Sequence, residues 1–210
     1  EKGDEIADYM HDEKSGRDTY YFYGDTEHTK GVRASLADID DQMVRSAVSR
    51  SATFDEANLR SETYYDLTGE KGEERAWYSY NYKNNGSDVR NTTIYNYEDT
   101  VTLKKSDGND AVFDIAREFE RLLTSVTYKD KVLDPTDLSA ATKLSTTHNY
   151  VDNWTLDASD KLNIAGLKIG GNVGENPTAM IGSIFYKGDK NVQDDKTGTF
   201  DRNNAEALIA

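Results

Sequence analysis

Residues 75–83 constrain the fold more tightly than any other stretch. Ala76, Tyr78, Tyr80 and Tyr82 alternate there with Trp77, Ser79 and Asn81, the period of two that sends successive side chains to opposite faces of a β-strand. Asn84-Asn85-Gly86-Ser87 follows, and Asn-Gly accepts positive φ at little cost, so a tight turn is expected. Ile94, Tyr95 and Tyr97 form the return strand, which continues through Val101 and Leu103. Upstream, Tyr64 and Tyr65 lie in a strand closed by Gly69 and Gly72, and Tyr20–Tyr23 make an aromatic strand ending at Gly24.

Two helices are expected among these strands. Ser35-Leu36-Ala37-Asp38 has the form of a capping box, and Leu36, Ile39, Met43 and Ala47 follow at helical spacing, which predicts a short helix over 36–48. A longer one is expected after Ser106-Asp107-Gly108-Asn109-Asp110, with Val112, Ile115, Ala116, Phe119, Leu122, Leu123 and Val126 on one stripe. Beyond Pro135 short strands and glycine turns return, at 150–156, 162–173, 179–187 and 197–200. The expected fold is therefore α+β and mainly β. An N-terminal antiparallel sheet with one long helix fills residues 1–140 as a ligand-binding domain, and a small antiparallel β-barrel fills 141–210.

Composition narrows the function. Hydrophobic residues make up 36% of the chain and charged residues 30%, with 14 tyrosines against 6 phenylalanines and 2 tryptophans. That is too aromatic for a disordered acidic chain. A net charge of -14 repels phosphate backbones and anionic lipid, so nucleic acid is excluded as a partner. With no cysteine there is no disulfide, thiolate metal site or cysteine nucleophile. No apolar run is long enough to span a membrane. The chain opens on Glu1 without an initiator methionine, which suggests a processed product.

The C-terminal texture resembles a known group. Trp154-Thr155-Leu156-Asp157 with Asp160-Lys161-Leu162, then Gly182-Ser183-Ile184-Phe185-Tyr186, then Gly198-Thr199-Phe200 running on to Ala210, look like the closing strands of the small barrel in transferrin-binding-protein-B-like surface lipoproteins of Gram-negative bacteria. The short chain is most similar there to the hemophilins or to the HpuA-type haemoglobin-binding lipoproteins. The resemblance implies a secreted or surface-exposed haem-binding protein, not an enzyme. It would capture haem, directly or from haemoglobin, for an outer-membrane receptor.

Haem capture needs an axial ligand, most often histidine or tyrosine, in an apolar or aromatic pocket. His28 lies just after the aromatic run, His148 at the entry to the expected barrel, and His11 in the N-terminal arm. His28 and His148 are the expected ligands of the haem iron, and Tyr21 and Tyr23 the expected haem contacts. Two other classes compete. One is a cofactor-free surface module that binds haemoglobin or another host protein through Tyr78, Tyr80, Tyr82, Tyr95 and Tyr97, although cross-strand packing is the plainer role for those rings. The other is an acid–base hydrolase, which would need a carboxylate pair in a deep cleft. Asp107-Gly108-Asn109-Asp110 fails as a calcium loop, because its fifth position is Ala111 and its twelfth, Glu118, lies on the expected helix.

Overall fold

The computed structural model describes residues 6–24, 30–51, 53–150, 154–163, 168–169, 172–173 and 182–187. Thirteen strands run through them: β1 Tyr9–Asp12, β2 Arg17–Gly24, β3 Gln42–Ser49, β4 Leu59–Asp66, β5 Arg75–Tyr82, β6 Val89–Glu98, β7 Thr100–Lys104, β8 Asp110–Asp114, β9 Arg121–Lys129, β10 Lys143–Tyr150, β11 Lys168–Ile169, β12 Asn172–Val173 and β13 Gly182–Lys187. The chain forms two compact units, one of residues 1–95 and 127–142, the other of 96–126 and 143–210.

In the first unit β1 to β6 pair in chain order as an antiparallel meander. Register puts two cross-strand rows on each face. One face carries Phe22–Arg45–Tyr64–Tyr78–Ile94 and Tyr20–Ala47–Glu62–Tyr80–Thr92. The other carries Tyr21–Ser46–Thr63–Ser79–Thr93 and Thr19–Val48–Ser61–Asn81–Asn91. The first face is the core side, where Tyr20, Phe22, Val44, Ala47 and Leu59 pack with Phe54 over them. The Asn85-Gly86 turn lies between β5 and β6, with Gly86 at φ +78°. Gly86 lies so close to the Asn58 backbone that a Cβ there would come within 2.6 Å of it.

In the second unit the end of β6 from Asn96, β9 as far as Val126, β10 and β13 are adjacent in that order, while β7–β8 and β11–β12 form separate hairpins. A small core of Ile115 and Trp154, with Val101, Leu103, Phe119 and Leu162 against it, holds this unit. β13 pairs antiparallel with β10 from Ser145↔Lys187 to Tyr150↔Gly182.

The structure corrects the expected α+β class: among the described residues there is no α-helix. Residues 34–36 make a single 3-10 turn with no side-chain cap, and Leu36 is 77% exposed. Residues 42–48 of the expected first helix lie in β3, hydrogen-bonded on both edges to β2 and β4. Helical spacing is a weak local preference, and two ladders of backbone hydrogen bonds over a buried face override it.

The expected long helix over 112–126 is divided among β8, a 3-10 turn at Arg117–Phe119 and β9. Its stripe is broken accordingly, with Ile115 buried at 5% and Val112 exposed at 67%. Thr124–Tyr128 is β-branched and aromatic, a composition that suits a pleated surface better than a helix. The acidic loop before it is a hairpin turn and caps no helix, with Gly108 at φ +82°.

The expected C-terminal barrel is also corrected, because the described strands form an open sheet in which β13 lies at the end of the order. The strand expected at 197–200 lies outside the described residues. Among the described residues no helix is long and apolar enough to cross a membrane.

Candidate functional site

Of the expected site residues, Tyr21 and Tyr23 share one strand, β2. His28 lies outside the described residues. Tyr21 and Tyr23 stand on β2 in the first unit and line one shallow, open depression with Met43, Lys71 and Glu74. The Tyr23 ring is buried at 7%, and its hydroxyl donates to the Ala7 carbonyl at 2.7 Å. His148 stands in the middle of β10 in the second unit, opposite Ile184. Burial, and secondarily Lys143, lower its pKa, so the imidazole is neutral near pH 7. His11 is exposed and its Nδ1 lies 2.6 Å from Asp18 Oδ1, a hydrogen bond that raises its pKa. Among the described residues no cluster of histidine and carboxylate groups could hold a metal ion.

Tyr78, Tyr80 and Tyr82 of the tyrosine ladder resolve as packing on the core side. Tyr64 stacks on Tyr78 at 4.9 Å, and Tyr80 meets both rings. Tyr80 donates to the Val132 carbonyl at 2.7 Å, and Tyr82 donates to Glu62 Oε1. Burial pushes Tyr80 up to about 12 and raises Tyr64, Tyr78 and Tyr82 as well, so all four stay protonated as donors and packing groups.

Beneath these rings lies an ionic cluster that the sequence pattern did not single out. The Arg45 guanidinium lies 4.1 Å from the Phe22 ring centroid. It donates to Glu62 at 3.0 Å, to Glu56 at 2.5 and 3.2 Å, and through Nε to the Lys30 carbonyl at 3.1 Å. Lys30 adds its ammonium to Glu56 at 2.9 Å. Opposite charges at inward positions of two consecutive strands would have signalled the pair, had residues 42–49 been read as a strand.

The second unit holds a comparable anchor. Arg121, 3% exposed, donates through Nε to Glu98 Oε2 at 2.8 Å and through Nη2 to the same oxygen. The Trp154 indole N–H also donates to that oxygen at 2.8 Å, and the guanidinium lies 4.5 Å from the Trp154 ring centroid. An oxygen taking three donors is a poor general base, so this cluster orients structure and moves no proton. It fixes the start of the C-terminal segment, because Leu162 packs in the Trp154 core and Leu156 bridges Leu162. Asp160 accepts from the Ser106 amide at 2.8 Å and the Ser106 hydroxyl at 2.6 Å.

The comparisons with known proteins fall on that segment. Residues 159–210 match the family described as tetrahydromethanopterin S-methyltransferase MtrH subunit. The chain is 56% identical over 48 residues to the MtrH-type tetrahydromethanopterin S-methyltransferase subunit of Methanothermobacter thermautotrophicus, covering 23% of this chain and 16% of that protein. It is 56% identical over 46 residues to the same subunit of Methanocaldococcus jannaschii, covering 22% of this chain and 14% of that protein. It is 51% identical over 47 residues to the corresponding subunit of the putative mtx methyltransferase of Methanosarcina mazei, covering 22% and 15%. The chain thus spans 16% of the length of the first of these relatives. No solved structure matches.

This match overturns the haem-acquisition resemblance, because much of the texture that carried it, Asp160–Leu162, Gly182–Tyr186 and Gly198–Ala210, lies inside residues 159–210. Glycine-punctuated short strands recur in unrelated folds, whereas identity above half over 46 to 48 residues is specific. The hemophore function, the haem cofactor, haemoglobin and the outer-membrane receptor as partners, and the Gram-negative surface location are all corrected, since the relatives are archaeal methyltransferase subunits. The cofactor-free host-protein binder loses its support by the same finding, and the expectation of a non-enzymatic protein gives way to relatives that are enzyme subunits. The iron-ligand roles expected of His28 and His148, and the haem contacts expected of Tyr21 and Tyr23, presuppose a haem that this match does not support.

Proposed function

We propose that this chain serves methyl transfer, as a component that shares residues 159–210 with the MtrH subunits of the tetrahydromethanopterin S-methyltransferases. The observation behind this reading is the family match over those residues, together with 56% identity over 48 residues to the Methanothermobacter thermautotrophicus protein. As the name of those relatives states, the chemistry is passage of a methyl group between tetrahydromethanopterin and a sulfur atom. The chain covers 16% of that relative, and its contribution to such a reaction is made within an assembly. We place the functional boundary near residue 140, so that 141–210 holds the shared segment with its supporting strand β10, and 1–140 is the accessory part.

The test is a calorimetric titration of the purified full chain with tetrahydromethanopterin. Alongside it, an isotope-labelled methyl group is followed from methyl-tetrahydromethanopterin to a thiol acceptor, in mixtures of methyltransferase subunits with and without this chain. Saturable pterin binding, or a labelled thioether whose yield rises with added chain, supports the reading. A flat titration together with a yield indifferent to the chain overturns it.

A further inference from the structure

The second face of the first unit's sheet has a composition unlike the rest of the molecule. Its two cross-strand rows between β2 and β6 contain hydroxyl, amide, valine and tyrosine side chains and no charged one, in a chain that is 30% charged and carries a net -14. The other face buries two charges, Arg45 and Glu62, among its rings. The neutral face is internally bonded: Asn81 donates to Asn91 at 3.0 Å, and the Thr93 and Thr127 hydroxyls lie 3.1 Å apart.

Two tyrosines lie along this face in a repeated arrangement. The Tyr65 hydroxyl, from β4, is 3.0 Å from Ser46 Oγ on β3. The Tyr95 hydroxyl, from β6, is 3.2 Å from Ser79 Oγ on β5. A strand side chain ordinarily stands perpendicular to the sheet. A ring whose hydroxyl reaches a serine one strand away instead leans toward that strand. The serines are buried beneath, at 8% and 6%, which is what such a cover produces. Tyr21 on β2 stands in the same cross-strand row as Ser46 and Ser79, two strands before Tyr65.

Tyr65 and Tyr95 are two strands apart, a step of about 10 Å at the usual spacing between neighbouring strands. That step matches the length of a disaccharide unit in an extended polysaccharide. Sugar rings present C–H faces that stack on aromatic rings, and hydroxyls that bond to amides and hydroxyls at the edges. A neutral face does not attract a charged polymer, and the surrounding net charge of -14 repels an anionic one. Rings tethered through their own hydroxyls also lose little freedom on binding. Charged side chains stand around the rim: Asp41, Lys71 and Glu74 beside Tyr21, and Arg17 two residues before Thr19 on β2.

We infer that the β2–β6 face bearing Tyr21, Tyr65 and Tyr95 binds an extended, uncharged polysaccharide. The site lies outside residues 159–210 and stands apart from the methyl-transfer reading. Its test is native affinity electrophoresis of the full chain through gels cast with hydroxyethyl cellulose or dextran, with polygalacturonate as the charged control. The chain is retarded in a neutral gel and not by polygalacturonate. Tyr65→Ala and Tyr95→Ala each weaken retardation by up to about tenfold, the size of one aromatic contact. Tyr65→Phe, which keeps the ring and loses the tether, weakens it less, and Tyr78→Phe on the opposite face leaves it unchanged. No retardation in either neutral gel overturns the inference, as does equal retardation by polygalacturonate or retardation that survives both alanine substitutions in folded protein.

Discussion

Arg45 and Glu62 sit diagonally across β3 and β4 with Nη1 3.0 Å from Oε2, and their side chains are 1% and 4% exposed. Two charges withdrawn this far from water are held by each other and by their remaining partners, Glu56 on the arginine and Tyr82 on the glutamate. Removing Arg45 leaves the buried Glu62 carboxylate with only Tyr82 beside it, which costs about 3–5 kcal/mol, whereas removing Glu62 leaves Arg45 paired with Glu56 and costs less. Arg45→Met is expected to lower the unfolding free energy by that amount and Glu62→Leu by less, and the double variant by clearly less than their sum. A double-mutant cycle in urea measures it, and a coupling near zero would remove the pair from the account of this sheet.

Acid should loosen the same corner. Burial acts to raise the Glu56 pKa, but hydrogen bonds from Arg45 and Lys30 more than offset it, and the net shift is downward from 4.5. A group with a depressed folded pKa contributes stability that is present above its unfolded value and lost as pH falls through the folded one. Melting temperature should therefore decline below about pH 4.5, and Glu56→Gln should flatten part of that decline. Thermal melts across the acid range read both effects.

At the alkaline end the sign reverses. Burial raises Tyr80 from 10.0 to about 12, and raises Tyr64, Tyr78 and Tyr82 in the same direction. Stability from these groups is complete below their unfolded pKa and is lost as pH climbs through the folded values. Tyrosinate absorbance should show these tyrosines ionising late, together with unfolding, and Tyr80→Phe should remove one member of that class.

The second unit offers a cleaner comparison of two ways to lose one hydrogen bond. Trp154→Phe keeps most of the buried ring but deletes the N–H donated to Glu98, a loss of about 1.5–3 kcal/mol for a bond to a charged acceptor. Glu98→Gln leaves Arg121 buried beside a neutral amide and should cost more, about 3–5 kcal/mol. Urea unfolding followed by circular dichroism ranks the two. The reverse order would mean that the carboxylate is not what holds the guanidinium.

Strands were legible where alternation and turn chemistry agreed. Tyr78–Tyr82 with Asn85-Gly86 behind it, and Tyr20–Tyr23 ending at Gly24, carry local signals that the ladders only reinforce. The two expected helices misled because apolar residues at i, i+3 and i+7 also arise when strands and turns follow one another. Val112, Ile115 and Phe119 share a helical stripe on paper while belonging to a hairpin, a link and a 3-10 turn. Which tyrosines face the core was not legible either, since Tyr78 and Tyr95 are the same residue type on opposite faces. Residues 182–186 carried the haem-acquisition resemblance, yet their glycine and aromatic spacing is common to unrelated folds and they lie within the segment that matches the MtrH family.

Glycines separate backbone strain from crowding within one experiment. Gly108 has φ +82° with nothing within 4 Å of where a Cβ would stand. Gly108→Ala should therefore cost only the left-handed backbone penalty, about 1–2 kcal/mol, and Gly108→Asn less, because asparagine visits that region more readily. Gly31 has φ +68°, and an added Cβ would lie 2.5 Å from Val44 Cγ2 and 2.9 Å from the Tyr23 carbonyl oxygen. That oxygen accepts the Val32 amide at 2.7 Å, so it cannot withdraw without breaking the bridge that ties this loop to β2. Gly31→Ala should add an overpacking cost of about 1–3 kcal/mol to the same backbone penalty. Gly31→Asn should bring no relief, since the clash remains whatever the backbone tolerates. Urea midpoints for the four variants decide it: asparagine rescuing both sites equally would show that crowding against Val44 plays no part.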